Sequence, residues 1–519
     1  MLNPTLIRWA ALLAGLMTGH VLAEPMPNAA ELYQQHCLSC HGAQRTGGMG
    51  PALLPQSLER LKRSDALKTI RDGRPATQMP GFGTTLEPAA LQALVDHLYT
   101  PPADTPGWTA EQIRQSRQQT TAPDQLKNKP VFKADPHNLF VVVEGGDHHA
   151  TILDGDKLTP IHRFATRYAL HGGPKFSPDG RYVYFASRDG WISKFDIWNL
   201  KTVAEIRAGL NTRNIAVSSD GRYVLAGNYL PQSVVLFDQD LNLLRVYDAQ
   251  SAEGKISRVS AVYDAAPRKS FIVALKDVPE AWEIPYADDA PPVAKGQVHD
   301  HQLGEAVFQP GQFTPITIPL DDILDDFFFD PPYTHLIGAS RNGKGQVINL
   351  NIRRKIADLD LAGMPHLGSG ITWLRDGQPI LATPNLKDGQ VTVIDMRTWQ
   401  TIKQIPTLGP GFFMRSHENT PYVWVDSMMS PTGKDTLQII DKATLEVVKT
   451  VRPEPGKTLA HIEFTRDGKY ALASLWEQDG ALIVFDAATW KEIKRIPMSK
   501  PVGKYNVYNK ITRSAGTSH

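Results

Sequence analysis

The 519-residue sequence has very little cysteine and no excess of charge of either sign. Its only two cysteines are Cys37 and Cys40, which excludes a framework of several disulfides. The chain has 55 lysines and arginines against 54 aspartates and glutamates, a net charge of +1, so we expect no nucleic acid partner. Beyond the N-terminus no apolar run approaches the length of about 20 residues that a membrane span needs.

Residues 1–23 have the features of a secretory signal peptide. Arg8 supplies a positive charge, residues 9–19 are apolar, and residues 21–23 (VLA) form a small-residue cleavage site. An uncleaved membrane anchor is the alternative, but the apolar stretch is short for a span. We therefore expect export to the periplasm, and no transmembrane segment once the signal is removed.

Cys37, Cys40 and His41 form the pattern C-x-x-C-H, which is typical of covalent haem c attachment. Two thiols at this spacing reach the two vinyl groups of one haem edge, and the histidine that follows lies under the iron. A zinc site would need a second pair of ligands, and no other cysteine exists. A redox C-x-x-C pair would need a βαβ context, which the sequence lacks. The pattern predicts haem c with His41 as an iron ligand.

Helical patterns surround this motif. Residues 28–36 and 87–100 predict one helix that delivers the motif and one that closes the domain. The loop RPATQMPGF resembles the ligand loop of small bacterial c-type cytochromes, which implies Met79 as the sixth iron ligand, with Met49 as the competing residue. Methionine ligation raises the iron potential, as suits an electron acceptor. We therefore predict a small all-α c-type cytochrome domain over residues 24–100.

The rest of the chain divides into two parts of different composition and pattern. Residues 101–135 are rich in proline, glutamine, threonine and lysine and predict a tether. From residue 136 short alternating runs are separated by Asp-Gly turns, whose glycines recur at about 40–45 residues, the period of a four-stranded propeller unit. Residues 136–519 therefore predict an all-β eight-bladed propeller. Residues 283–320 break the period and predict a long loop or an inserted hairpin.

The propeller sequence resembles the cytochrome cd1 nitrite reductase family over most of residues 136–510. The resemblance is carried by residues 169–171 (ALH) with the following SPDGRYVYFASRDG, by residues 363–368 (GMPHLG) and by the closing segment PVGKYNVYN. In that family the propeller binds haem d1, a modified haem held without covalent bonds. The resemblance implies that His171 is its proximal iron ligand; a packed core histidine is the alternative.

The same resemblance implies further contacts with the tetrapyrrole. Arg188 and Arg213 match basic positions near the haem carboxylates, where a planar guanidinium pairs well. Ion pairs at the blade edges are the alternative for both. Trp476 matches a tryptophan that lines the haem pocket, and Tyr505 of the closing segment completes the predicted cofactor-binding set.

Two departures from the reductases concern histidines. His366 matches one of their two distal histidines, but the segment matching the other, DDFFFD over residues 325–330, contains none. Because two histidines share the delivery of protons to nitrite, this loss argues against nitrite reduction. His461 stands where the reductases carry glutamine, and we expect it at a strand start near the central funnel. His417, in RSHENTP, is expected to be exposed and structural.

This combination is similar to the dihydro-haem d1 dehydrogenases, relatives of the reductases. The resemblance implies that dihydro-haem d1 is bound without covalent bonds and that one of its propionates becomes an acrylate. Electrons would pass to haem c and then to a periplasmic acceptor. His461 is the predicted general base. His366 is predicted to act in catalysis and as the second axial ligand.

Expected partners are the tetrapyrrole, the electron acceptor, cytochrome cd1 nitrite reductase and other haem d1 assembly proteins. Three alternatives stay open at this point. They are a nitrite reductase, a haem d1 carrier without enzymatic activity, and an electron-transfer cytochrome with a protein-binding propeller.

Overall fold

The computed structural model describes residues 28–47, 50–59, 61–73, 79–104, 106–167, 169–170, 173–295, 307–340 and 343–513. The predicted signal peptide, Met49 and His171 lie outside these ranges. Within them, no helix is both long enough and apolar enough to cross a membrane.

The N-terminal part is a small helical domain. Its helices are α1 Ala29–His36, α2 Leu38–His41, α3 Pro55–Leu58, α4 Arg63–Asp72 and α5 Pro88–Tyr99. Helix α1 begins after Asn28, whose side chain accepts hydrogen bonds from the first backbone N–H groups of the helix. The helices bury a shared apolar core that includes Tyr33, Ile70, Leu94, Val95 and Leu98. The two helices predicted around the C-x-x-C-H motif are confirmed as α1 and α5.

Eight antiparallel blade sheets follow, seven of four strands and one of five, which confirms the predicted eight-bladed propeller. Blade 1 is β35 Pro501–Asn506, β2 Leu139–Glu144, β3 His149–Asp154 and β4 Thr159–Ala165. Blade 2 is β5 Lys175–Phe176, β6 Tyr182–Ala186, β7 Trp191–Asp196 and β8 Lys201–Arg207. Blade 3 is β9 Asn211–Val217, β10 Tyr223–Leu230, β11 Ser233–Asp238 and β12 Leu243–Asp248. Blade 4 is β13 Val259–Ala265, β14 Ser270–Leu275, β15 Glu280–Pro285 and β18 Ile316–Pro319.

The second half of the ring has the same construction. Blade 5 is β19 Asp326–Phe329, β20 His335–Ala339, β21 Lys344–Asn349 and β22 Arg354–Asp360. Blade 6 is β23 Ile371–Arg375, β24 Gln378–Pro384, β25 Gln390–Asp395 and β26 Gln400–Pro406. Blade 7 is β27 Met414–Ser416, β28 Tyr422–Asp426, β29 Leu437–Asp441 and β30 Val447–Val451. Blade 8 is β31 Leu459–Phe464, β32 Tyr470–Leu475, β33 Ala481–Asp486 and β34 Glu492–Pro497, after which helix α7 Val507–Ile511 follows β35.

The Asp-Gly turns join the first and second strands of their blades. Gly180, Gly221, Gly377 and Gly468 have φ angles of +71°, +74°, +75° and +72°, a region that strains any residue with a Cβ atom. The recurring glycines that revealed the repeat are therefore required by the backbone. The interruption at residues 283–320 is a hairpin, β16 Val293–Lys295 paired with β17 Val307–Gln309, inserted between β15 and β18.

The ring is closed by the last strand of the chain. β35 pairs antiparallel with β2, with Val141 opposite Tyr505 and Val142 opposite Lys504. Because β35 is the innermost strand of blade 1, this pairing places residues 501–506 on the wall of the central channel.

The segment predicted to be a tether is packed against the propeller, so that expectation was wrong. Helix α6 Ala110–Gln115 buries Ile113 between blades 2 and 3, and β1 Gln118–Gln119 adds a fifth strand to blade 2. Without β1 the outer strand β8 would be an edge strand, and an edge strand readily accepts a further strand. The segment has few apolar residues, but Trp108 and Ile113 among them pack against the propeller.

The helical domain docks on one face of the propeller. We call this the loop face, defined by the loops that join the second to the third strand of a blade and each blade to the next. Leu54 of the helical domain is fully buried against Leu210 and Leu230 of the propeller. Arg207 donates a hydrogen bond of 3.0 Å to the carbonyl of Thr46, and Arg258 forms a 2.6 Å ion pair with Glu59.

Leu54→Ala is expected to weaken this docking by about 3 kcal/mol, since it removes a fully buried side chain from the interface. Limited proteolysis near Trp108 should become faster, because Trp108 packs against the same apolar cluster as Leu54. Leu53→Ala is the control, since Leu53 packs within the helical core instead. Equal rates for the two variants would show that Leu54 does not hold the domains together.

Candidate functional site

His41 is held in the tautomer that an iron ligand needs. Its Nδ1 lies 2.8 Å from the carbonyl oxygen of Pro51, and because a carbonyl only accepts, Nδ1 carries the proton. Nε2 is then left with a lone pair, as metal ligation requires. Gly50 lies so close that a Cβ atom there would be 2.6 Å from the ring. Burial lowers the pKa of His41, which keeps the imidazole neutral.

The two cysteines lie next to His41 at the junction of α1 and α2. Both are half-buried and form no disulfide, so their thiols are available for thioether bonds. Met79, which follows α4 in the sequence, packs at the edge of the same apolar cluster as Cys37. The donor set therefore fits covalent haem c, and the ligand role of Met79 stays a prediction. Met49, its competitor, lies outside the described residues.

The second group of predicted residues lies around the mouth of the central channel, on the loop face. His461 and Tyr505 lie on the innermost strands β31 and β35, with ring centroids 5.2 Å apart. Phe413, just before β27, lies at the centre of the group. Its ring centroid is 4.6 Å from that of His461, 6.1 Å from that of Trp476 and 6.5 Å from that of His366. Phe413 was missed in the sequence, since nothing marks one phenylalanine of a Phe-Phe pair.

His366 is held by the loop that precedes β27. Its Nδ1 lies 2.8 Å from the carbonyl oxygen of Phe412. The ring centroids of His366 and Phe412 are 4.1 Å apart. The carbonyl fixes the proton on Nδ1, so Nε2 keeps its lone pair. Burial lowers the pKa of His366 and Arg213 acts in the same direction, whereas Asp326 opposes it. His366 is thus a neutral imidazole that can bind iron or accept a proton through Nε2.

His461 occupies a β-bulge in β31, where the register with β32 shifts between Ala460 and Ile462. Its φ angle is +51°, a strained value for a residue with a side chain. Only 1% of the residue is exposed, and in the described part of the chain Nε2 has no hydrogen-bond partner. A strained backbone that holds an unpartnered ring nitrogen at the channel is typical of a functional residue.

Asp426 connects His461 to Phe413. It is fully buried, and its carboxylate accepts hydrogen bonds from the backbone N–H groups of Phe412, Phe413 and His461 at 2.7, 3.1 and 3.3 Å. Burial raises the pKa of Asp426 to about 6, although these donors lower it. No signal in the sequence marks this residue, because an aspartate at a strand end ordinarily begins a turn.

The remaining predicted residues lie on the same face. Arg213, on β9, donates to the carbonyl of Ser260 at 3.1 Å. The N–H of Arg188 donates at 3.1 Å to the carbonyl of Ala169, two residues before His171. Trp476 borders a cavity whose wall also includes Arg167, Ala169 and Leu170. His171 itself lies outside the described residues, and its ligand role stays a prediction.

His417 was expected to be exposed, and this was wrong. It is fully buried, and Nδ1 accepts the N–H of Asn419 at 3.1 Å. The Asp-Gly turn of blade 8 covers it, since a Cβ atom on Gly468 would lie 2.4 Å from Nδ1. Its turn is on the face opposite to the loop face, so it belongs to the structure of the ring.

Several charged residues on the inner strands, buried or half-buried, were also missed. The hydroxyl of Tyr263 donates to Asp326 at 2.9 Å, and the ammonium of Lys175 lies 5.5 Å from the ring centroid of Tyr263. Burial lowers the pKa of Lys175 to about 8. Arg415 and Lys504 are also almost fully buried. The signal in the sequence was a charged residue within the first, largely apolar strand of a blade.

Comparisons with known proteins agree with this arrangement. Residues 134–510 match the family model "Cytochrome D1 heme domain", and residues 24–98 match "Cytochrome C oxidase, cbb3-type, subunit III". The chain is 54% identical over 515 residues to the dihydro-heme d1 dehydrogenase of Pseudomonas aeruginosa, covering 99% of this chain and 100% of that protein. It is 22% identical over 540 residues to the nitrite reductase of Stutzerimonas stutzeri, covering 94% and 93% of the two chains.

A solved structure is also similar over nearly its whole length. The structure of the dihydro-heme d1 dehydrogenase NirN in complex with DHE matches with a TM-score of 0.84 and 55% identity. The match covers 93% of this chain and 99% of that chain.

The raised pKa of Asp426 predicts a dependence of stability on pH. Because its folded pKa of about 6 lies above the unfolded value of about 4, the folded protein binds a proton that the unfolded chain releases. This contribution is present at low pH and is lost as the pH rises from about 4 to about 6. Asp426→Asn cannot titrate, so its melting temperature relative to that of the wild type is expected to rise over this window.

Thermal unfolding in a series of buffers tests this. Asp376→Asn, in an exposed turn of blade 6, is the control. Curves for wild type and Asp426→Asn that run parallel across the window would contradict the prediction.

Proposed function

Since the chain belongs to the cytochrome D1 heme domain family and, within it, to the dihydro-haem d1 dehydrogenases, we propose that it performs the last step of haem d1 synthesis. It is an oxidoreductase that removes two hydrogens from a propionate side chain of dihydro-haem d1 and leaves an acrylate. The electrons pass to covalent haem c. The observation that carries the proposal is that the cytochrome domain docks on the same loop face at which the histidine-lined channel opens.

The channel residues hold the substrate in one pose. A reacting C–H bond must lie about 3–3.5 Å from the group that accepts its proton, so the ring needs several fixed contacts. His366, through Nε2, and His171 are the proposed residues that would hold the tetrapyrrole iron. Arg188 and Arg213 are proposed to bind the carboxylates. Trp476 and Tyr505 supply flat apolar surface for the macrocycle.

His461 is the proposed general base. Its Nε2 is the one imidazole nitrogen of the group around Phe413 that the described residues leave both buried and unpartnered. Burial lowers the pKa of His461 well below its usual value, and Lys504 and Arg415 act in the same direction. The imidazole is therefore neutral before reaction, as a base must be. His366 contributes by fixing the ring through the iron.

The cytochrome domain provides the route for the electrons. Cys37, Cys40, His41 and Met79 are proposed to hold haem c, which accepts one electron at a time when it is bound. Leu54 and Arg207 keep this domain on the propeller, so the two tetrapyrroles need no diffusion to exchange electrons. We propose a periplasmic location and a periplasmic electron acceptor, with cytochrome cd1 nitrite reductase and other haem d1 assembly proteins as further partners.

The two other functions for a haem d1 protein fit the site less well. A nitrite reductase would place a second proton donor beside His366, but this chain has the carboxylate of Asp326, which already accepts a hydrogen bond from Tyr263. A carrier would have no use for a docked cytochrome domain. The strained, buried His461 is likewise costly for a protein that only binds.

The proposed function is tested by anaerobic incubation of the purified protein with dihydro-haem d1 and a one-electron acceptor. We expect the extracted tetrapyrrole to have lost two hydrogens, with haem c reduced during the reaction. His461→Gln should slow the reaction by about 10²–10⁴-fold, the usual contribution of a general base, while still binding the substrate. His162→Gln, on the outer strand of blade 1, is the control and should react at the wild-type rate.

Binding with unchanged mass by the wild-type protein would overturn the dehydrogenase. Full activity of His461→Gln would overturn only the assignment of the base. Turnover of nitrite should be absent in all three proteins.

A further inference from the structure

Arg415 is a buried arginine on the wall of the central channel. It is the middle residue of β27, the innermost strand of blade 7, and only 3% of it is exposed. Its Nη1 donates to the backbone carbonyl of Met414 at 2.7 Å, which is its one hydrogen bond among the described residues. Nε is buried and has no hydrogen-bond partner there. An arginine is almost never this deeply buried unless its charge is paired.

The carboxylates around Arg415 are held by other groups, and no ion pair of the described residues includes it. Glu463 accepts a hydrogen bond of 3.0 Å from Asn509 and lies 3.9 Å from Nζ of Lys510. Asp426 accepts three backbone N–H groups. Burial lowers the pKa of Arg415, and the two carboxylates oppose this from beyond contact distance. A guanidinium still keeps its proton at physiological pH, so the charge stays uncompensated.

The guanidinium lies close to the axis of the ring. Its charge lowers the pKa of Lys504 on blade 1, of Lys175 on blade 2 and of His366 before blade 6. These groups stand on different sides of the channel, so a cation that acts on all of them lies between them. The lysines and the histidine can lose their protons, but the arginine cannot. The channel therefore has room for an anion that the described residues do not supply.

Arg415 lies deeper than the two arginines already proposed to bind tetrapyrrole carboxylates. Phe413, two residues earlier, is at the channel mouth, and His417, two residues later, is at the opposite face. Arg188 and Arg213 are half-buried and lie nearer the mouth. A tetrapyrrole bound at the mouth would therefore reach Arg415 only through a side chain that enters the channel.

We infer that Arg415 binds the carboxylate of the one propionate that is dehydrogenated. This inference rests on the proposed function and deepens it, because it names the residue that selects the reacting side chain. Nε and Nη2 of a guanidinium are adjacent donors that match the two oxygens of a carboxylate. The side chain that reaches Arg415 is held at its far end inside the channel, whereas the other carboxylates stay at Arg188 and Arg213. Arg415 exchanges no proton with the substrate, and its role is to position the side chain.

The bound carboxylate also offsets the cost of burying Arg415. An unpaired charge in a protein interior is strongly destabilising, and an ion pair with the substrate compensates it. In the absence of tetrapyrrole, a neutral residue of similar length at this position is therefore expected to leave the protein as stable as the wild type or more stable. An arginine that only supports the fold predicts the opposite.

The affinity for dihydro-haem d1 tests the contact. Titration of the protein that contains haem c but no tetrapyrrole is followed by the visible spectrum. We expect Arg415→Met to bind about 10–100-fold more weakly than the wild type, the usual contribution of a hydrogen bond to a charged group. Arg415→Lys keeps the charge but loses the planar pair of donors, so its affinity should lie between the two. Arg397→Met, in an exposed turn of blade 6, is the control and should bind like the wild type.

A substrate whose reacting propionate is a methyl ester separates the carboxylate from the other contacts. The wild type should bind the ester about as weakly as Arg415→Met binds the acid, and the ester should not distinguish the two proteins. A free anion held by Arg415 predicts instead that the wild type binds acid and ester equally, which would overturn the inference. Because this comparison uses the wild type, it decides the matter even if Arg415→Met fails to fold.

Thermal unfolding without tetrapyrrole separates binding from support of the fold. Arg415→Met should melt at or above the temperature of the wild type. Arg181→Met is the matched control, because Arg181 pairs with the buried carboxylate of Asp196 at 2.9 Å, and this variant should melt lower. A fall in Arg415→Met as large as that in the control would show a structural arginine and overturn the inference.

Mass analysis of the product distinguishes this inference from the function on which it rests. A wild type that binds dihydro-haem d1 and leaves its mass unchanged would overturn the dehydrogenase. An active wild type that binds acid and ester equally would overturn the role of Arg415 alone. The visible spectrum of haem c shows whether each variant is folded.

Discussion

Closure of the ring by pairing of β35 with β2 is the interaction on which the rest of the structure depends. A propeller buries apolar surface between neighbouring blades, so every blade needs two neighbours, and an open ring would leave two faces exposed to water. The antiparallel pairing of residues 501–506 with β2 joins the two ends of the chain in one blade. It also brings Lys504 and Tyr505 to the channel beside His461, which is more than forty residues earlier.

The channel mouth combines groups that are costly to bury. An ionised side chain loses several kcal/mol on leaving water unless it is paired or becomes neutral. Asp426 is compensated by backbone N–H groups, and Lys504 by a hydroxyl, a carbonyl and a ring nitrogen. His461 has a strained backbone beside these contacts, and its Nε2 has no hydrogen-bond partner among the described residues. The free-energy cost of burying these groups is offset by the apolar surface buried between the blades.

The loop face contains both the mouth of the channel and the interface with the cytochrome domain. The same loops that surround the channel mouth provide Leu210, Leu230 and Arg207 for the domain interface. The packed segment that contains Trp108 and α6 holds the connection in place, with Trp108 donating to the carbonyl of Arg207 at 2.7 Å. Electron transfer between the two sites therefore depends on the ordered segment as well as on the two domains.

Local patterns in the sequence determined the haem c motif, the helices around it and the eight-bladed repeat. Each of these depends on neighbouring residues: the spacing of Cys37 and Cys40, the helical recurrence of apolar residues, and glycines at positive φ in the Asp-Gly turns. Resemblance to a family added the histidines and arginines of the channel. The order of the packed segment and the burial of His417 could not be predicted, because both depend on surfaces that are distant in the sequence.

Only the tertiary structure decided which side chains surround His461. Phe413 and Asp426 belong to blade 7 and Lys504 to blade 1, and none has a local signal, since their positions beside His461 arise from the closure of the ring. The tautomers of His41 and His366 were likewise decided by the carbonyls of Pro51 and Phe412, each reached through folding of a loop. The sequence alone determined which kinds of chemistry the chain contains. The ring brought the side chains of the channel mouth together, because hydrogen bonds and desolvation act through space and not along the chain.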